Sequence, residues 1–341
     1  MGHWFRRQWF LAGLVLVLAI AILAPDVGRG DGPLSPGRWR GWLVASIFLI
    51  SGLELRTSQL GEAVRDYRLH VFVQGLSLLI CPLFFWCVAQ GLAHTGLPWP
   101  LIEGVVVLGC LPTTVTSGVA FTRVSGGDEA GALFNATLGN LMGVVVSPIW
   151  ILLLTGQQGN IPLEAVAPQL AWQVAAPVGL GQAIQLVLAR YVPSLRVRLG
   201  NVAGVLLLVL IYFVFCDSLS QGVRVGAAHV LAAISILAAL HGALLLIAFR
   251  SSGLPIWHFS RAKRTAAVIC STQKTAALGV PMIAIVYANR PELGLVTLPL
   301  LVYHPLQLLV AGAAVDAWRR YNGTDRPLSP TTSQPAGDPP R

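Results

Sequence analysis

The chain has 341 residues, of which 55% are hydrophobic and 11% charged, with a formal net charge of +9. Soluble domains carry roughly twice that share of charge, so too little polar surface remains here to coat a globule, and the composition points to lipid as the solvent. A nucleic-acid-binding face is excluded as the reading of the positive charge, because the basic residues sit in short clusters between apolar runs.

A helix that crosses the hydrocarbon core needs about 20 mostly apolar residues. Ten stretches are expected to be such spans when broken helices are allowed. In chain order they run near 9–25, 42–55, 70–92, 99–124 and 129–155, then 165–190, 199–219, 226–249, 265–287 and 295–318. The sequence Arg6-Arg7-Gln8-Trp9-Phe10-Leu11 ahead of the first run has the look of a twin-arginine leader. The preferred reading keeps that run as a span, because removing it spoils the charge alternation described next. The tail 322–341 is rich in Pro, Ser and Thr, cannot bury a core, and is expected to be a disordered cytoplasmic tail after a membrane domain over 1–321. Cys81, Cys87, Cys110, Cys216 and Cys270 each lie in an apolar run without a CxxC pair. They read as small buried hydrophobes, with neither a disulfide framework nor a zinc site.

Orientation follows from Lys and Arg in the connections. With ten spans and a cytoplasmic N-terminus, 17 of the 23 basic residues fall on the cytoplasmic side and 5 on the other. The last, Lys274, lies within a span. A split that alternates in phase with the spans places both termini in the cytoplasm of a multi-pass inner-membrane protein.

Two spans carry interruptions. The fourth contains Gly109-Cys110-Leu111-Pro112-Thr113-Thr114-Val115-Thr116-Ser117-Gly118, and the ninth contains Cys270-Ser271-Thr272-Gln273-Lys274-Thr275 followed by Gly279-Val280-Pro281. Proline removes a donor and clashes with the preceding turn, glycine tolerates unwound geometry, and nearby hydroxyls and amides can bond freed backbone groups or ligate an ion. Spans four and nine hold corresponding places in two halves of five, and the odd span number inverts the second half. Paired interruptions of this kind point to a midplane binding site in a carrier. The bland alternative is that Pro, Gly and Ser/Thr are common in membrane helices; two interruptions in register, with Lys274 between, outweigh it.

Lys274 falls near mid-depth, where a charge costs roughly 2.5–3.5 kcal/mol on insertion scales. It reads as a built-in cation at the crossing, there to stabilise carbonyl ends or to titrate; snorkelling and a purely structural role are the alternatives. Gln74 and His241 hold loosely corresponding places in the two halves, and Asn135, Thr137 and Asn140 share part of one face of the fifth span. Glu54 reads as an interfacial partner of Arg56, Asp217 as a residue near the outer interface, and His304 as a satisfied core histidine beside a kink at Pro305.

Gly109-Cys110-Leu111-Pro112 with Thr116-Ser117, and Gly126-Gly127-Asp128-Glu129-Ala130-Gly131-Ala132-Leu133-Phe134-Asn135, resemble motifs of the bile acid:sodium symporter-like family. The run 270–275 with Gly279-Val280-Pro281-Met282, and His70-Val71-Phe72-Val73-Gln74 with Pro82, resemble its solute carrier family 10 seventh-member branch and bacterial relatives. The resemblance covers nearly the whole chain. It implies an all-α fold of ten transmembrane helices in two inverted five-helix repeats, with a panel of spans 1, 2, 6 and 7. A core of spans 3–5 and 8–10 would hold the crossing of broken helices 4 and 9. Carried over residue by residue, the resemblance suggests sodium at Ser117 with Asn135 or Thr137, and at Gln74 with Gln273. Two departures weaken that transfer: Ile269 and Cys270 stand where symporters place an acidic residue, and Gly118 stands where they place an asparagine. One sodium ion, a proton, or no coupling ion all remain open.

The expected function is secondary transport of a small organic anion or amphipathic solute, through substrate- or ion-binding groups on Gln74, Thr113, Thr114, Thr116, Ser117, Asn135, Thr137, Ser271, Thr272, Gln273, Lys274 and Thr275. The alternative, implied by the resembled branch, is a membrane regulator of calcium handling without solute flux of its own. An enzyme is not expected: there is no GxSG-type serine, intramembrane aspartate pair or HExxH. No cofactor beyond sodium is implied, the bilayer is the expected partner, and a homodimer is left open.

Overall fold

The computed structural model describes residues 2–34, 36–54, 65–155, 168, 171–187, 192–222, 226–288 and 290–324. Among these residues every regular element is helical. The chain runs through α1 (Gly2–Leu23), α2 (Pro25–Gly28), α3 (Pro36–Glu54) and α4 (Tyr67–Gly75), then a π-turn (Leu76–Ile80) and α5 (Cys81–Leu92). It continues through α6 (Trp99–Cys110), α7 (Val115–Val124), α8 (Glu129–Thr155), a second π-turn (Ala171–Ala175) and α9 (Ala176–Val187). The remaining helices are α10 (Val192–Ser220), α11 (Ala227–Ser252), α12 (Arg261–Thr272), α13 (Ala276–Val286) and α14 (Leu293–Asn322).

Local signals set several ends. Pro100 stands at the start of α6, where a missing N–H costs no helical bond. Ser260 caps α12 by accepting the Lys263 N–H at 3.3 Å, and Gly323 closes α14 with φ 70°.

Among the described residues, six helices are long and apolar enough to cross a membrane, or seven when α6 and α7 count as one span bent by 62°. That is fewer than the ten spans expected. The first, second and sixth runs are helical where they are described, but they fall short of that length or apolarity. The apolar part of α1 is only Trp9–Leu23. In α3, the opening Pro-Gly-Arg-Trp-Arg dilutes the run. The sixth run lies partly outside the described residues, as do Arg56 and residues 325–341 of the tail.

The helices pack as two sets. In one, α10 packs on α1, α2 and α3, and α3 packs on α9. The last contact is backbone to backbone: a Cβ on Gly52 or on Gly181 would run into the other helix's main chain. In the other set, α6 packs on α5, α8 and α14, while α12 packs on α4, α7, α8 and α11. The sets meet where α10 lies against α13 and α14, and α3 against α13. Buried Phe48, Phe85, Leu108, Leu210, Ile283 and Tyr303 belong to one continuous apolar core. Large apolar side chains also cover the outside, including Leu23, Val145, Leu153, Leu186 and Leu231, an exterior suited to hydrocarbon. Four of the cysteines are buried as expected, but Cys87 is exposed on α5, on the flank of the helix turned away from the core.

Candidate functional site

The first break separates α6 from α7. Leu111 and Thr114 are extended, with ψ 147° and 135°. Pro112 brings no N–H for the Leu108 carbonyl, which instead accepts the Leu111 N–H at 3.3 Å in a tightened last turn. The second break separates α12 from α13, and Gln273 and Thr275 are extended with ψ 145° and 125°. Its unwound residues include no proline; Pro281 lies further on, inside α13.

Unwinding a helix in lipid leaves polar backbone groups that must be paired inside the protein. The two breaks supply much of that pairing to each other. The Thr275 N–H donates to the Pro112 carbonyl at 3.0 Å. Lys274 Nζ donates to the Leu111 carbonyl at 2.8 Å and the Gly109 carbonyl at 3.2 Å, which are orphaned by the end of α6. It donates also to the Ser77 carbonyl at 3.0 Å. Neighbouring helices complete the set. Asn140 Nδ2 donates to the Thr113 carbonyl at 2.9 Å. Gln307 clamps Lys274 from both sides, its Oε1 accepting the Lys274 N–H at 2.7 Å and its Nε2 donating to the Lys274 carbonyl at 2.8 Å. The Tyr303 hydroxyl donates to the Thr272 carbonyl at 2.8 Å and lies 2.8 Å from His241 Nδ1.

Behind the crossing sits a cluster of neutral polar groups. Ser117 Oγ donates to Gln273 Oε1 at 3.0 Å. Gln74 Nε2 donates to the Asn135 carbonyl at 2.9 Å and to its Oδ1 at 3.3 Å, and that Oδ1 is 3.2 Å from His70 Nδ1. The side-chain bonds thus join Ser117 to Gln273 and Asn135 to Gln74, linking residues that the resemblance assigns to different ions. Gln74 Oε1, Thr113 Oγ1 and Gln273 Nε2 are buried without a hydrogen-bond partner among the described residues. Two glycines leave room beside them: a Cβ on Gly139 would stand 3.0 Å from Gln74 Oε1, and one on Gly118 would stand 3.7 Å from Gln273 Oε1 and 3.9 Å from Thr113 Oγ1. Thr137 is buried on α8. Ser271 and Thr272 turn their hydroxyls back onto the Ala267 and Val268 carbonyls at 2.6 and 2.8 Å, so these bonds serve the helix end.

A cavity of about 800 Å³ lies between the two helix sets. One wall comes from Trp9 and Phe10 of α1, Glu54 of α3 and Asn201 of α10. The other comes from Thr114, Thr116 and Arg123 at the first break and α7, Asn140 of α8, and Thr275 with Ala277 at the start of α13. Of the expected binding residues, then, Thr114, Thr116 and Thr275 reach the cavity. Lys274 does not, being wholly buried with its ammonium turned to carbonyls on the far side. Both half-helices that begin at the breaks, α7 and α13, present their N-terminal ends to this space.

Several residues are placed differently from, or beyond, what the sequence suggests. Glu54 lines the cavity, and Arg123 pairs with Glu129 at 3.6 Å beside it. Tyr303 and Gln307 hold the second break open. Their spacing of four residues puts them on one helix face, and that was the available signal. Asp217 pairs with Arg40 and accepts the Gly30 N–H at 2.6 Å. His304 lies within an unbroken α14, with Nδ1 3.2 Å from Gln307 Nε2.

Comparison with known proteins finds similarity over almost the whole chain. The profile of the SBF-like CPA transporter family matches residues 8–320. Sodium/bile acid cotransporter 7 of Rattus norvegicus is 34% identical over 312 residues, covering 91% of this chain and 92% of the relative. Sodium/bile acid cotransporter 7-B of Xenopus laevis is 33% identical over 332 residues, 97% of each chain. Solute carrier RCH1 of Candida albicans is 25% identical over 377 residues, covering 92% of this chain and 89% of the relative. With its candidate membrane spans, its two broken helices and a match this complete, the chain is a membrane protein belonging to the SBF-like CPA transporter family.

Proposed function

We propose that this chain is a secondary active transporter that carries a small organic anion or amphipathic solute by alternating access. The observation that carries this reading is the cavity between the two helix sets, ending on the N-termini of α7 and α13. The first N–H groups of a helix have no partner within it, and the helix dipole makes that end favourable for negative charge. An apolar wall from Trp9 and Phe10 and a polar floor from Thr114, Thr116 and Thr275 suit a solute with one anionic end. At the opposite end of α10 the sets are closed on each other: Ser218 Oγ accepts the Gly294 N–H of α14 at 2.7 Å. Opening there and closing at the cavity would move the site from one side to the other.

In this reading the chain crosses a cytoplasmic-type membrane ten times in two inverted repeats, with both termini in the cytoplasm. The set around α10 is the panel and the set around the crossing is the core. Any sodium coupling is confined to a single ion, held near Gln74 Oε1 and Thr113 Oγ1, two buried oxygens beside the crossing that have no hydrogen-bond partner among the described residues. Gln74, Ser117, Asn135, Thr137 and Gln273 offer no carboxylate to a second hard cation.

The test is thermal unfolding of the purified protein across a panel of organic anions, with and without sodium, followed by uptake of any stabilising compound into proteoliposomes. At least one amphipathic anion is expected both to raise stability and to accumulate saturably. Stabilisation without any flux would instead mark a sensor or regulator, and the carrier reading would be abandoned.

A further inference from the structure

The oxygens around Lys274 Nζ make up a site in their own right. The carbonyls of Ser77, Gly109 and Leu111 lie 2.8–3.2 Å from one buried point. Each is free for a local reason. In the π-turn the Cys81 N–H bonds the Leu76 carbonyl five residues back, and residue 82 is a proline without an N–H. Ser77 therefore loses both of its helical donors. Gly109 and Leu111 are freed because α6 stops at Cys110 and the chain is extended through the break. Three converging carbonyl oxygens are the ligand type with which proteins replace the hydration shell of a monovalent cation. An ammonium has three donors and no acceptor, so three carbonyls satisfy it completely.

We propose that this carbonyl cradle is a monovalent-cation site which the chain fills with its own Lys274 ammonium, so that a tethered charge stands where a free ion would otherwise bind. The spacing is longer than the roughly 2.0–2.6 Å used by magnesium and calcium, and it fits a cation the size of ammonium or potassium. The tethered charge ties three segments together: the π-turn ahead of α5, the end of α6 and the start of α13. The covalent tether keeps this group in the cradle whatever solute is present. The inference does not depend on which solute is carried, or on whether any is.

Removing the tether should leave a site that free cations can fill. In Lys274→Ala the stem and ammonium are gone and the carbonyls remain. Thermal unfolding is followed in choline, sodium, potassium and ammonium chlorides at equal ionic strength. The variant is expected to melt well below the wild type in choline and to recover by about 3 °C or more in ammonium or potassium, with sodium between. The wild type should show no such ranking. Lys274→Met, which fills the space without charge or donors, should be destabilised in every salt and recover in none. A Met variant as stable as the wild type would overturn the proposal. So would an Ala variant that ranks the cations no differently from the wild type, or that fails to fold in all of them.

Discussion

At the first break the interruption is written into the residues that unwind. Pro112 denies the preceding turn a donor, three threonines and a valine follow it, and the helix bends by 62°. At the second break the unwound residues are Gln273, Lys274 and Thr275, none of which forbids a helix, and 261–286 passes as one apolar stretch that is 94% buried in its most apolar window. Here the helix is held open from outside. Gln307 takes both backbone groups of Lys274, Tyr303 takes the Thr272 carbonyl, and the Lys274 side chain is drawn off to the first break. One break is local and the other is tertiary, so damage to tertiary partners should fall more heavily on the second.

The sharpest way to break this comparison is Gln307→Leu. It strips two backbone groups of their partners at a place where both Gln307 and Lys274 are wholly buried. At about 1–3 kcal/mol for each unpaired group, the loss should be about 2–6 kcal/mol, read from unfolding in detergent micelles. The amide of Lys274 should also lose its protection against hydrogen exchange. Asn140→Leu is the counterpart at the first break. It orphans only the Thr113 carbonyl, and Asn140 borders the cavity, where water can take over part of the bond. A smaller loss, about 1–2 kcal/mol, is expected by the same measure. Pro112→Ala should change stability least, within about 1 kcal/mol. The missing donor is restored, while Lys274 and Thr275 still hold the extended residues. Were Pro112→Ala to cost more than Gln307→Leu, the assignment of one break to local sequence and the other to tertiary support would be reversed.

Much of this was open to a reader of the sequence. The breaks could be placed because proline, glycine and hydroxyl residues stand out in apolar runs, and Lys274 because a charge there is expensive. Its role as a pairing group for carbonyl ends was among the expectations. Its position relative to the cavity was not, since a single residue does not reveal which side of an unwound strand it points to. Span counting and the candidate spans part at the first, second and sixth runs, near 9–25, 42–55 and 165–190. Where a helix is short, or mixed with arginine and glycine, apolarity alone underdetermines whether it crosses. Tyr303 and Gln307 went unnoticed beside His304 and Pro305, because a polar residue in a span declares a need for a partner without naming one.

The amino-acid order by itself determined an all-helical membrane chain interrupted at two known places, because apolar length, proline and buried charge act within a turn or two of where they stand. Only the tertiary structure decided that the interruptions meet, that Lys274 spends its three donors on Ser77, Gly109 and Leu111, and that Thr114, Thr116 and Thr275 face the cavity. Those outcomes depend on which backbone groups, far apart in the chain, come within about 3 Å of each other where no water competes.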